Sequence, residues 1–239
     1  METNYQRRKQ KWDQKNKEYI VDALRRATFV LTVENMLKLL GNKRKGRILD
    51  AGCGFGEIDV LLAQNSDFEI VGFDLSKVAV QAARKHVKEA GLESRIKIEE
   101  GDIFNLKYPD QSFDIVISFG YISAATYPGV QKDMARVLKP GGLLICDFIN
   151  CLSAYKFFNT IKRMVGKKES SYYFSLKGIR QEFKKAGLNF KKQRFFNTYP
   201  PFKSGVSHQA FLAFEKTIGK ILKRFLARVR IVSFQKAKK

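Results

Sequence analysis

Apolar residues recur along this chain at two periods, and the alternation between them lays out the elements. Between residues 16 and 40 they return at helical spacing, at Tyr19, Ile20, Ala23, Leu24, Ala27, Val30, Leu31, Met36, Leu37 and Leu40. That spacing predicts one or two amphipathic helices, ended by Gly41 and the basic turn at 42–46. A short strand follows over Arg47–Asp50, then a helix over Glu57–Gln64. A second strand, Phe68–Phe73, ends at Asp74, and Ser76 suits the N-cap of a helix running to about Ala90 and stopped by Gly91. Arg95–Glu99 alternates Ile96 and Ile98 with Lys97 and Glu99, as a half-exposed edge strand does. Phe113–Ser118 and Leu143–Asp147 are nearly continuous apolar runs, suited to the buried centre of a parallel sheet. Pro128 is placed to open the helix between them, and Pro140-Gly141-Gly142 to close it. Later elements are a helix over Ser175–Ala186, a strand over Phe190–Phe196, a longer amphipathic helix over Gln209–Leu226 and a last strand over Val229–Phe234. Residues 151–172 and 197–208 carry no clear period.

Strand and helix alternate, so the expected class is α/β, with a doubly wound, mostly parallel sheet and helices on both faces. A length of 239 residues suits one domain with appendages. These are an N-terminal helical lid or cap over 1–46, a ligand-binding core over 47–150, and a basic part over 151–239 that completes the sheet and carries insertions. Packing against the domain is the plainer expectation for the N-terminal helices; covering a ligand is the functional one.

A composition of 44% hydrophobic and 28% charged residues reads as soluble and globular. The polar first 18 residues are no secretory signal, and no apolar run reaches bilayer length. Cys53, Cys146 and Cys151 form no CxxC pair and are too few for a disulfide framework, which points to a reducing, cytoplasmic setting. No metal site is expected. The formal charge of +22 is uneven: residues 47–150 hold 11 basic and 15 acidic residues, 1–46 hold 12 and 5, and 151–239 hold 22 and 3. The excess therefore belongs to the flanks, chiefly the C-terminal one.

Ligands of open parallel sheets bind past the carboxyl ends of the strands. Polar residues stand at those ends here: Asp50, Asp74, Ser118 and Asp147, with Asp102 in the loop after the third strand. Between the first strand and its helix, glycine occupies every second position (Gly52, Gly54, Gly56), which lets bare backbone approach a ligand. The helix that follows favours negative groups at its start. A carboxylate at Asp74 accepts two O–H donors at once, as a ribose requires.

The series Ile48–Glu57 (ILDAGCGFGE), Val71–Ser76 (VGFDLS), Glu100–Phe104 (EGDIF), Phe113–Ser118 (FDIVIS) and Arg136–Leu144 (RVLKPGGLL) resembles the class I S-adenosylmethionine-dependent methyltransferases, nearest their small-molecule and lipid branch. The resemblance covers about residues 45–150. It implies S-adenosyl-L-methionine as cofactor, with Asp50, Ala51, Gly52 and Gly54 along its methionine part and Gly56 setting the turn. It also implies Asp74 on the ribose, Leu75 and the Ile103 backbone at the adenine, Asp102 accepting from the adenine amino group, and Ser118 and Phe119 bordering the methionine end. A seven-stranded sheet is implied too, whose antiparallel last strand, Val229–Phe234, lies beside the fifth. A dinucleotide-binding dehydrogenase shares the glycine loop and the second-strand acid. It lacks the GxGxG spacing, the Asp50 before the loop and the Gly101-Asp102-Ile103 segment.

Displacement from a sulfonium needs an aligned nucleophile and no obligatory base, so no catalytic residue is required. Tyr121 and Tyr127, after the fourth strand, and His208, in the C-terminal part, are weak candidates; His86 is expected to be structural, on the far side of the sheet. Neither an NPPY-like tetrapeptide nor a Pro-Cys pair follows the fourth strand, against two nucleic-acid methylase classes. The acceptor expected is a small molecule or a lipid-like one, and the basic helix near the C-terminus suits an anionic membrane surface, hence a peripheral location. Two alternatives stay open: an RNA methyltransferase whose flanks bind phosphates, and a binding protein without turnover. Oligomeric state has no signal.

Overall fold

The computed structural model describes residues 4–17, 23–120, 129–151, 153, 175–196, 208–218 and 220–238, with backbone alone at 23–24, 208, 210–212 and 220–221. Among them, the strands are β1 (Lys45–Ala51), β2 (Asp67–Asp74), β3 (Ile96–Glu100), β4 (Phe113–Ser118), β5 (Leu138–Ile149), β6 (Leu188–Phe196) and β7 (Val229–Lys236). The helices are α1 (Asn4–Lys17), α2 (Ala23–Leu40), α3 (Glu57–Gln64), α4 (Lys77–Glu89), α5 (Val130–Val137), α6 (Leu176–Lys185), α7 (His208–Thr217) and α8 (Lys220–Leu226). One seven-stranded sheet has the order β3-β2-β1-β4-β5-β7-β6. Strands β1 to β5 pair in parallel, while β7 runs antiparallel between β5 and β6. This is the expected α/β class, with the last strand beside the fifth and β3 at an edge.

Alternation along β1 feeds both faces: Ile48 joins a core with α2, α3 and α4, and Leu49 joins one with α5 and α6. Helix α2 is part of the first core, for Ala27, Leu31, Met36 and Leu39 are buried there. Helix α1 buries no residue. It was not legible from hydropathy, because its stretch has no apolar face.

Two expected boundaries are corrected. Strand β5 begins at Leu138, paired with Phe113, so Pro140-Gly141-Gly142 lies within it and does not close the helix. The helix ends because Leu138 is already extended, at φ −74° and ψ 136°. The glycines accommodate the register shift between Phe113 and Ile115: Gly141 has φ +73°, and a Cβ on Gly142 would lie 2.8 Å from the Lys139 carbonyl oxygen. At its other end α5 starts at Val130 after Gly129, and Pro128 lies outside the described residues.

The single helix expected over Gln209–Leu226 is two. The Thr217 hydroxyl donates to the Ala213 and Phe214 carbonyls, 3.2 and 3.1 Å away, and Ile218 N–H still reaches the Phe214 carbonyl at 3.0 Å. Glu215, buried, pairs with Lys223 of the next helix at 3.0 Å. The apolar face expected over these helices is partly turned outward, with Phe214, Leu222 and Phe225 all exposed.

In the C-terminal part, α6 seats on the sheet through Phe183, which is fully buried and stacked on Phe234 at 4.2 Å between centroids. Phe183→Ala removes a stacked, fully packed ring and should cost about 3–5 kcal/mol. Urea unfolding with an unchanged m-value checks this; a loss below about 1 kcal/mol would show that the ring sits in a site able to collapse.

Candidate functional site

The carboxyl ends of β1, β2 and β4 converge on the glycine loop. Gly52 and Cys53 both donate backbone N–H groups to the Phe73 carbonyl, each at 2.9 Å, which binds the loop to the end of β2. The Asp74 carboxylate continues this tie, accepting from Gly54 N–H at 3.1 Å and from Ser76 N–H at 2.8 Å. Burial pushes the Asp74 carboxyl upward, and those same N–H groups, with that of Leu75, pull it back. Ser76 in turn caps α4 by accepting from Ala79 N–H.

Gly52 and Gly54 have φ +91° and +57°, a backbone only glycine adopts freely, and a Cβ on either would meet nothing within 4 Å. Bare backbone therefore faces open space there. Gly56 (φ +76°) is different: its hypothetical Cβ would sit 3.2 Å from Ala83 Cβ, so it serves the packing of α3 on α4. His86 lies on that same side, its Nδ1 3.4 Å from the Phe55 carbonyl oxygen. The expectation that His86 lies across the sheet from the loop is corrected by this contact.

The other sequence-derived residues divide into rim and support. Leu75, Asp102, Ile103 and Phe119 are half-buried at the rim. Gly101 N–H donates to the Asp74 carbonyl at 3.0 Å, which holds the Asp102 turn beside β2, and Asp102 Oδ1 accepts from Phe104 N–H at 3.1 Å. Ser118 is buried, and its hydroxyl donates to the Ala51 carbonyl at 2.9 Å, tying β4 to β1 beneath the loop. Asp147 at the end of β5 is buried and accepts from Gly120 N–H at 3.1 Å. Tyr121 and Tyr127 lie outside the described residues, as does the side chain of His208, whose backbone opens α7.

Asp50 is buried and faces Asp59 of α3, which is buried too. Asp50 Oδ1 and both oxygens of Asp59 have no donor among their neighbours. Burial pushes both carboxyls up, and the charge of each partner or neighbour pushes further: Asp59 on Asp50, Glu57 on Asp59. Two buried carboxyls so placed resist ionising together. Gly72 makes the approach feasible, because a Cβ there would lie 2.7 Å from Asp59 Oδ2. Asp59 was missed in the sequence reading, although it shares a helix face with the buried Leu62 and Ala63.

Two residues of α1 were also missed. Arg8 forks onto Asp102, with Nη1 to Oδ1 at 2.9 Å and Nη2 to Oδ2 at 2.7 Å. Asp13 Oδ1 accepts from the Ser76 hydroxyl at 2.7 Å and Val78 N–H at 3.3 Å. Long-range ion pairs of this kind leave no period in a sequence.

Comparison with known proteins bears on this edge directly. The family model described as a methyltransferase domain matches residues 42–185, which include the whole glycine loop, Asp74 and Asp102. The chain belongs to the class I methyltransferase family. A demethylmenaquinone methyltransferase of Bacillus velezensis is 31% identical over 186 residues, covering 68% of this chain and 79% of that protein. One from a Geobacillus species is 34% identical over 116 residues, 47% of this chain and 49% of that protein, so the chain spans about half the length of that relative and of others like it. Among solved structures, magnesium protoporphyrin IX methyltransferase from Synechocystis superposes with a TM-score of 0.63 at 18% identity, covering 95% of this chain and 94% of that one, a likeness of fold.

The upward shift of the buried Asp59 carboxyl has a pH signature. Folded Asp59 holds its proton up to about pH 7, whereas an unfolded aspartate releases it near its ordinary 3.8. Its contribution is full below about pH 4 and is lost as pH rises through about 7. Asp59→Asn, whose amide donates to Asp50, should leave Tm unchanged near pH 4 and raise it by roughly 2–4 °C at pH 8. Thermal melts across that range check it; an equal or lower Tm at pH 8 would contradict the pairing.

Proposed function

We propose that the chain is an S-adenosylmethionine-dependent methyltransferase acting on a small-molecule or lipid-linked acceptor. One observation carries the reading: open glycine backbone at Gly52 and Gly54 adjoins an Asp74 carboxylate held in place by two N–H groups. That donor and acceptor set fits the cofactor. Asp74 retains acceptor capacity for a ribose diol. Leu75 and the Ile103 backbone are assigned to the adenine ring, with Asp102 for its amino group. The backbone of Asp50 to Gly54 is assigned to the methionine part, and Phe119 to the acceptor side. The Ser118 hydroxyl, buried, acts from beneath by tying β4 to the Ala51 carbonyl, and the carboxyl of Asp50 is buried beside it.

When bound, S-adenosylmethionine supplies an activated methyl group on a sulfonium, whose neutral thioether departs with the bonding electrons. The chain's share is to fix the donor along the strand ends, exclude water and align the acceptor lone pair. A relative named for demethylmenaquinone supports a large apolar acceptor. Isotopic methyl transfer into fractionated extract tests the reading. Label should enter the lipid or small-molecule pool and depend on intact Asp74. Label in RNA would replace this acceptor class, and none in any pool would favour a binding protein.

The partner surface that goes with a lipid acceptor is an anionic membrane. Phe214, Leu222 and Phe225 are 46%, 54% and 53% exposed, and the exposed charged side chains beside them, Lys216 and Arg224, are basic. Asn150 Nδ2 donates to the Arg224 and Ala227 carbonyls at 2.9 and 3.0 Å, anchoring α8 at the carboxyl end of β5, the edge of the proposed site. No helix among the described residues is long and apolar enough to cross a membrane. Phe225→Glu should weaken sedimentation with phosphatidylglycerol vesicles roughly tenfold and leave cofactor affinity unchanged. Equal binding to phosphatidylcholine vesicles, or an unchanged Phe225→Glu, would overturn the docking surface.

A further inference from the structure

Helix α1 has no apolar face and buries no residue, so the hydrophobic effect does little to hold it. Its first half is attached through polar groups that fall on one loop. Arg8 forks onto Asp102 at 2.7 and 2.9 Å, and its guanidinium lies over the Phe104 ring, 4.3 Å from the centroid. Lys9 pairs with Glu100, and the Tyr5 hydroxyl lies 3.5 Å from Glu100 Oε1. Five residues beyond Arg8, Asp13 is fastened elsewhere, to the Ser76 hydroxyl and Val78 N–H at the start of α4.

The consequence for Asp102 is occupancy. The fork takes a lone pair on each oxygen, Phe104 N–H takes another on Oδ1, and the carboxylate is left only 12% exposed. An adenine amino group and a guanidinium seek the same acceptor positions on that carboxylate. We propose that the first half of α1 is a clasp over the adenosine end of the site: Arg8 holds Asp102 until the cofactor displaces it, and the helix opens about Asp13. The inference rests on the assignment of Asp102 to the adenine made under Proposed function.

A clasp that must open lowers the apparent affinity by the share of molecules that are closed. Arg8→Gln keeps the helix propensity of the side chain but is shorter and uncharged, which removes the fork. Titrated with S-adenosylhomocysteine, the full chain carrying Arg8→Gln should bind roughly tenfold more tightly than wild type, the order expected of one charge-assisted pair. Wild-type affinity should rise with salt, which weakens the pair, and Arg8→Gln should lose that dependence. Hydrogen exchange supplies a readout independent of the variant: on saturation, wild-type amides at 4–9 should exchange faster, while those around Ser76 stay protected.

An unchanged or weaker affinity in Arg8→Gln, or slower exchange at 4–9 on saturation, would overturn the clasp while leaving the cofactor assignment intact. A wild-type chain that binds no S-adenosylhomocysteine would overturn both, since nothing would then displace Arg8.

Discussion

The end of β2 is the joint on which the ligand edge depends. One carbonyl, that of Phe73, takes the N–H groups of Gly52 and Cys53, and the next side chain, Asp74, takes those of Gly54 and Ser76. The Asp74 carbonyl then receives Gly101 N–H. Two adjacent residues thus set the glycine loop, the cap of α4 and the turn that carries Asp102. A carboxylate buried at such a point is costly unless its oxygens are satisfied by fixed donors, and here backbone donors satisfy it. The two N–H groups that fix the Asp74 carboxylate belong to the glycine loop and to the cap of α4, so its orientation and theirs are set together.

Around that joint the protein uses two kinds of attachment. Helices α2 to α6 are held by buried apolar side chains on the two faces of the sheet. Helix α1 is held by ion pairs and hydrogen bonds to the rim of the site, where Arg8, Lys9 and Asp13 meet Asp102, Glu100 and Ser76. The first kind is insensitive to salt and to small ligands; the second responds to both. The basic excess of the N-terminal flank thereby acquires a local partner, since the acids it meets belong to the mildly acidic middle of the chain.

The sheet was legible because its signals are short-range. Glycine at every second position, an acid at a strand end, and apolar runs of strand length each state their element within ten residues. The same holds for Ser76 as a cap and for Gly91 as a stop. What the sequence did not disclose depends on distant pairings. Asp59 reads as a polar residue of a surface helix until Gly72, on a neighbouring strand, leaves room for it. The start of β5 was hidden because two glycines that ordinarily mark a turn instead lie where β5 carries extra residues against β4. Helix α1 was hidden because its stability lies in contacts about 90 residues away in sequence.

A glycine loop and a second-strand acid are shared by more than one nucleotide-binding family, and it is the surroundings of Asp74 that distinguish them. The most direct measurement is an equilibrium titration of the purified chain with S-adenosylmethionine and, separately, with NAD. The account predicts one saturable site for S-adenosylmethionine, weakened at least about tenfold by Asp74→Ala through loss of charged hydrogen bonds, and no competition from NAD. Saturable binding of NAD with none of S-adenosylmethionine, or an S-adenosylmethionine site indifferent to Asp74, would contradict it.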